Sequence, residues 1–203
     1  MYVVVGLGNP GRRYAASRHN VGFMVIERLA ERWRIPLCVN GGVRIGRGRF
    51  RDVPVILIEP QRYMNLSGET LVDALPELDH GQDGTSLAKP RTAEIVVVHD
   101  DLDLARGQLR VKRGGGAGGH RGVASIAARS GADFLRIRLG VGRPPEGEDA
   151  AEYVLAPLSD EEREELAATI ERAAEAVESL VSSGLEATRN RFNQRVTKPA
   201  GIN

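Results

Sequence analysis

The chain has one cysteine in 203 residues, Cys38. It cannot close an internal disulfide, so a packed core must hold the fold, and a reducing cytosol is the expected setting. A thiol flanked by Leu37 and Val39 reads as an inert strand residue rather than a nucleophile. No apolar run approaches the ~20 residues that cross a bilayer. The first residues are already strand formers, so no secretory leader is expected. There is no G-x-S-x-G elbow for a serine nucleophile and no Cys/His spacing for zinc. If the protein is a hydrolase, water is left as the attacking group. No internal repeat or linker divides the chain.

Charge, in contrast, is abundant and segregated. The formal net charge is only +1, yet residues 1–51 hold ten Lys/Arg against two acids, Glu27 and Glu31. Residues 106–143 hold nine against one, Asp133, and residues 146–178 hold two Arg against twelve acids. One basic face for a polyanion and an acidic face elsewhere are expected.

Val3–Val5 and Glu94–Val98 are short β-branched or apolar runs of the kind buried in a sheet. Further strands are expected near Leu37–Val39 or Val43–Ile45, at Val53–Ile58, at Leu109–Lys112 and at Phe134–Val141. In the last, Leu135, Ile137 and Leu139 share one face and Arg136 and Arg138 the other. Helical spacing places helices over Val21–Trp33 with Asn20 as N-cap, over Ser67–Leu75, and over Gly122–Arg129. Residues 76–93 read as a polar surface loop. Ser159 and Glu162 form a capping box, and Leu166, Ile170, Ala173, Val177 and Leu180 trace one stripe that Gly184 ends. Strands alternating with helices predict an α/β fold: a single-domain three-layer sandwich over residues 1–203, a mixed twisted sheet with helices on both faces. An acidic covering helix at about 159–183 and a short tail at about 190–203 complete it.

Three constellations carry chemistry. The first, V-V-V-G-L-G-N-P-G, has the Gly6-x-Gly8-x-x-Gly11 spacing of a dinucleotide site. Such a site also needs a helix straight after the glycines and an acid at the next strand end. Here the helix starts only near Asn20, Glu27 falls inside it, and residues 37–50 hold no acid. What the turn presents instead is Asn9, Tyr14 and His19. Asn9 offers a neutral amide, and a histidine just before a helix N-terminus is kept neutral and able to accept a proton.

The second constellation is I-V-V-V-H-D-D-L-D, a strand ending in His99, Asp100, Asp101 and Asp103. One of these acids can hold His19 in a fixed tautomer, as the acid does in a hydrolase triad. Oxygen ligation of a divalent cation and a plain solvated turn are the other two readings. The third is Arg110-x-Lys112-Arg113 followed by six glycines in nine residues, with His120 and Arg121 among them. Its backbone N–H groups and cations suit a polyanion, while glycine alone would suit a flexible loop.

These stretches, with Q-R-Y-M-N-L-S-G and R-I-R-L-G-V-G-R-P, stand in order from Val3 to about Pro157 and closely resemble the bacterial peptidyl-tRNA hydrolase family. The resemblance implies a metal-free, cofactor-free, monomeric cytoplasmic enzyme that cleaves the ester between a stalled peptide and its tRNA. It needs no membrane and no obligate protein partner. His19 matches the family's general base, Asp100 the acid that orients it, and Asn9 the residue that helps tell peptidyl-tRNA from aminoacyl-tRNA. Asn65 matches a substrate-binding amide, and Tyr14, Tyr63 and Met64 match positions lining the cleft for the peptide and the 3′ acceptor end. Lys112 and Arg138 match a clamp for the tRNA 5′-phosphate. The chain departs from the family at Arg121, where most members have an Asn credited with ordering the water and binding the tRNA end. An arginine only donates hydrogen bonds, and it can bind phosphate or stack on a base. Arg110 stands where some members have Lys, Ala117 replaces an often polar residue, and the 76–93 loop is longer than usual. The alternative is a catalytically weak relative that acts as an RNA-binding protein. A nicotinamide enzyme is a distant third.

Overall fold

The computed structural model describes residues 1–74 and 93–194. Its seven strands form one sheet in the order β2-β3-β4-β1-β5-β7-β6. They are β1 (Tyr2–Gly6), β2 (Cys38–Asn40), β3 (Val43–Phe50), β4 (Val53–Pro60), β5 (Glu94–Asp101), β6 (Leu109–Arg113) and β7 (Leu135–Gly140). The inner strands β4, β1, β5 and β7 run parallel, and antiparallel strands close both edges. β1 sits between β4 and β5 and is covered on both faces, which is why its sequence is an unbroken β-branched run. Val4 points toward α1 (Val21–Trp33) and α5 (Asp160–Phe192). Val3 and Val5 point toward α2 (Ser67–Ala74) and α3 (Arg121–Ser130). The expected three layers, a mixed sheet between helices, are therefore present. A short α4 (Ala150–Leu155) flanks the carboxyl ends of the inner strands. No helix among the described residues is long and apolar enough to cross a membrane.

The glycines of the opening turn serve packing and turning. A Cβ on Gly6 would collide with the backbone of Gly22, so this position lets α1 lie directly on β1. Gly11 has φ 99°, which the turn toward Tyr14 requires. The chain then makes a 3₁₀ turn at Arg18–Asn20 before α1 begins. No helix N-terminus follows the glycines directly, so the phosphate seat of a dinucleotide fold is not built.

The capping box on α5 is present, with Ser159 and Glu162 bonded reciprocally. One expectation needs correction and one needs extending. Asn20 precedes α1, but its side chain does not cap the helix, because the backbone of Asn9 engages it instead. Gly184 breaks α5 at φ 78°, but helix resumes and runs to Phe192, since Leu185 and Phe192 also pack on the core. The tail thus starts after Phe192, close to the expected 190. Most of the 76–93 loop and the end of the tail lie outside the described residues.

Candidate active site

A cleft of about 570 Å³ opens at the carboxyl ends of β1, β4 and β5. Each wall comes from a different part of the chain. The loop after β1 supplies Asn9 and Tyr14, the 3₁₀ turn supplies His19, and the segment after β4 supplies Tyr63, Met64 and Asn65. The end of β5 supplies Asp100, the glycine loop leads to His120 and Arg121, and α4 closes the far side. Eight of the eleven expected site residues therefore meet in one place. The other three, Arg110, Lys112 and Arg138, are not among its lining residues.

Asp100 is the hub. It is 3% exposed, and its Oδ1 lies 2.9 Å from Nδ1 of His19 and 2.9 Å from Nε2 of His120. Burial alone would raise a carboxyl's pKa, but the His120 and His19 rings outweigh it and hold Asp100 well below the usual carboxylate range. Asp100 is therefore an acceptor at both contacts. It fixes the proton of His19 on Nδ1, which leaves the Nε2 lone pair free. His120 is the N-cap of α3, where its Nδ1 accepts from the Val123 N–H at 3.3 Å. Its proton is thus on Nε2, directed at Asp100.

Below them lies His99, 3% exposed, whose Nδ1 donates to the carbonyl of Asp100 at 2.6 Å. Burial, then the nearby His120, pushes it down to about 3, so it is neutral near neutral pH. The ligand atoms of His19, Asp100 and His120 lie within 4.8 Å of one another. A cation there would need the Nε2 lone pair of His120, and that nitrogen carries the proton. The donor set fits a hydrogen-bonded relay better than a metal.

Asn9 is 7% exposed and held from three directions. Its backbone N–H donates to Oδ1 of Asn20, its carbonyl accepts from Nδ2 of Asn20, and its Oδ1 accepts from the Met64 N–H, each at 2.9 Å. With the side-chain oxygen committed, the amide offers its NH2 to the cleft. Tyr63 and Asn65 are exposed at the rim, Tyr14 is half-buried, and Met64 is buried beneath Asn9. Arg121 is exposed and is the sole cationic side chain on the cleft wall among the described residues.

Lys112 and Arg138 share one face of β6 and β7, where Lys112 stands opposite Arg136 and Arg138 opposite Arg110. Partial burial, then the Arg138 and Arg136 charges, lowers the Lys112 pKa. Arg138 donates to Oδ2 of Asp101 at 2.6 Å, which joins this basic face to the cleft floor. Arg110 donates to the carbonyl of Gln194 at 3.3 Å.

The sequence gives no site role to His120 or Arg136, and it gives Asn20 only that of a helix N-cap. His120 stands in a glycine run that reads as anion-binding loop. Arg136, 1% exposed, donates to the carbonyls of Gly115 and Gly116 and so anchors that loop from below. An arginine facing inward within an apolar strand was the one available signal.

A family model described as peptidyl-tRNA hydrolase matches residues 3–200. A peptidyl-tRNA hydrolase of Caldanaerobacter subterraneus subsp. tengcongensis is 42% identical over 195 residues, covering 95% of this chain and all of the relative. One from Nocardia farcinica is 45% identical over 194 residues, covering 94% of this chain and 95% of the relative. The crystal structure of peptidyl-tRNA hydrolase from Acinetobacter baumannii superposes with a TM-score of 0.83 at 34% identity, covering 98% and 97% of the two chains.

Proposed function

This chain belongs to the peptidyl-tRNA hydrolase family, and from that premise we propose that it hydrolyses the ester between peptide and tRNA by a water that His19 deprotonates. The observation that carries the reading is the 2.9 Å bond from His19 to a buried, ionised Asp100 inside the cleft. The Nε2 lone pair takes a proton from water as the oxygen attacks the ester carbonyl, and Asp100 stabilises the imidazolium that forms. The NH2 of Asn9 donates to the oxyanion. Collapse of the intermediate breaks the C–O bond to the 3′-terminal ribose, and His19 returns the proton to that oxygen. The products are a free peptide and a free tRNA.

Substrate contacts follow the charge. Tyr14, Tyr63, Met64 and Asn65 receive the peptide and the 3′ acceptor end, with Arg121 beside them on the cleft wall. Lys112 and Arg138, with Arg110 beside them, hold the 5′-phosphate on the basic face outside the cleft. In this reading the enzyme acts as a monomer in the cytoplasm, where tRNA is charged and used. The RNA-binding alternative is not favoured: Arg121 is the feature that points to it, against Asn9, His19, Asn65 and Asp100.

The test is release of N-acetylated amino acid from N-acetyl-aminoacyl-tRNA, with and without EDTA, by wild type and His19→Ala. Turnover that survives EDTA and collapses in the variant is the expected result. Tight, salt-sensitive tRNA binding without turnover would sink the reading.

A further inference from the structure

The residue just before His19 has no part in the reaction, yet it is one of the most heavily engaged in the molecule. Arg18 is 7% exposed. Its Nη1 donates to the carbonyl of Tyr153 at 3.0 Å, and its Nη2 donates to Glu162. The guanidinium lies over the Tyr153 ring, 4.2 Å from its centroid. Tyr153 belongs to α4, the helix that closes the far side of the cleft, but it is not itself a lining residue. Its neighbours Val154 and Leu155 line the cleft. The Tyr153 hydroxyl donates to the carbonyl of Val141 at 2.8 Å, so the ring is fixed to the sheet.

Two further contacts make this a joint. Leu158 N–H donates to the carbonyl of Ala16 at 2.9 Å, and Ser17 pairs with Pro157 as an isolated bridge. Glu162 completes the capping box of α5 and also receives Arg106 at 2.7 Å. Arg18 thus ties the turn that carries His19 to α4 and to the start of α5. A buried ion pair is by itself weak evidence for stability. A brace between the catalytic turn and the opposite wall, however, sets the width of the cleft.

We propose that Arg18 is a positioning residue that holds the α4 wall at a fixed distance from His19 and thereby sets affinity for the acyl part of the substrate. The inference rests on the hydrolase reading. The face that α4 turns to the cleft, including Ala150, Ala151, Val154 and Leu155, is largely apolar, which suits a peptide rather than a polyanion. The His19–Asp100 bond does not pass through Arg18, so proton transfer is left intact when the brace is removed.

The experiment is steady-state hydrolysis of N-acetyl-aminoacyl-tRNA by wild type, Arg18→Met, Arg18→Lys and Glu162→Gln, with kcat and KM measured across pH. Arg18→Met is expected to raise KM about tenfold and to leave kcat within about twofold, with the pH midpoint of kcat unmoved. Arg18→Lys keeps a charge for Glu162 but has a single nitrogen in place of the fork that spans Glu162 and the Tyr153 carbonyl, so its KM should fall between the two. Glu162→Gln keeps an acceptor for the Ser159 N–H and loses only the ion pairs; a KM rise of about threefold is expected. An unchanged KM, with kcat falling only as the folded fraction falls, would reduce Arg18 to a structural brace and overturn the proposal. So would a shifted pH midpoint, since Arg18 would then act on His19 directly. If Arg18→Met does not fold, Glu162→Gln decides alone. Wild type without turnover would instead remove the hydrolase reading, so the two failures are distinguishable.

Discussion

Nδ1 of His19 and Oδ1 of Asp100 stand 2.9 Å apart, and the carboxylate end of that bond is buried and ionised. In Asp100→Asn the amide oxygen can still accept from His19 and from His120, so the geometry should survive. The charge that stabilises the imidazolium does not. A fall in kcat of about 10²-fold or more is expected with little change in thermal stability. A kcat within twofold of wild type, with melting unchanged, would show that the acid has no part in catalysis.

Most of this pair was legible in the sequence, and the reason is local. A β-branched run that ends in acids states both the strand and the place where it stops, and the turn before α1 brings His19 to the same end. What stayed hidden depends on distant partners. Asn20 stands where an N-cap should stand, and only the fold brings it to the backbone of Asn9. His120 reads as part of a glycine loop until α3 and Asp100 claim its two nitrogens. Gly184 signals a helix stop correctly, but residues beyond it still have a core to pack on. The three fingerprint glycines illustrate the same limit: their spacing announces a close-packed turn and leaves open what the turn holds.

Asn9→Asp removes the donor and brings a carboxylate oxygen to the place where the oxyanion forms. The oxygen bonded to the Met64 N–H is retained, and the NH2 offered to the cleft is lost. Loss of one oxyanion donor is expected to lower kcat about 10²-fold, with KM changed far less. A loss confined to KM would assign Asn9 to ground-state binding alone.

Arg121 is the one cation on the cleft wall among the described residues, so its effect should be read in salt dependence rather than in rate alone. If it contacts a phosphate of the acceptor end, Arg121→Asn should reduce the slope of log KM against log salt by about one. Chemistry at saturation should change little, because the His19–Asp100 pair is untouched. An unaltered salt slope with a higher kcat would mean that the arginine only displaces an amide able to order water.

Glu59, on β4, gives the fold a pH signature of its own. It is 1% exposed, and its Oε2 lies 3.0 Å from Arg44 while Oε1 has no hydrogen-bond partner. Burial pushes it from 4.5 up to about 7, Arg44 only partly opposes this, and the nearby Glu27 charge adds to it. Across that window the folded state binds a proton that the unfolded chain has released, so stability falls as pH rises. His99 acts oppositely: it is held down to about 3 from 6.5, the unfolded chain binds the extra proton, and stability rises with pH over that range. The two slopes oppose each other between 4.5 and 6.5, which flattens the wild-type profile there. Glu59→Gln removes only the falling limb. At about pH 8 the variant should gain on the order of 1–3 kcal/mol over wild type, and at about pH 4, where both side chains are neutral, nothing. Differential melting at the two pH values measures this, with about 2–4 °C expected per kcal/mol for a chain of this size. An equal gain at both would mean that the amide improves packing and that Glu59 is already ionised in the folded protein through its bond to Arg44.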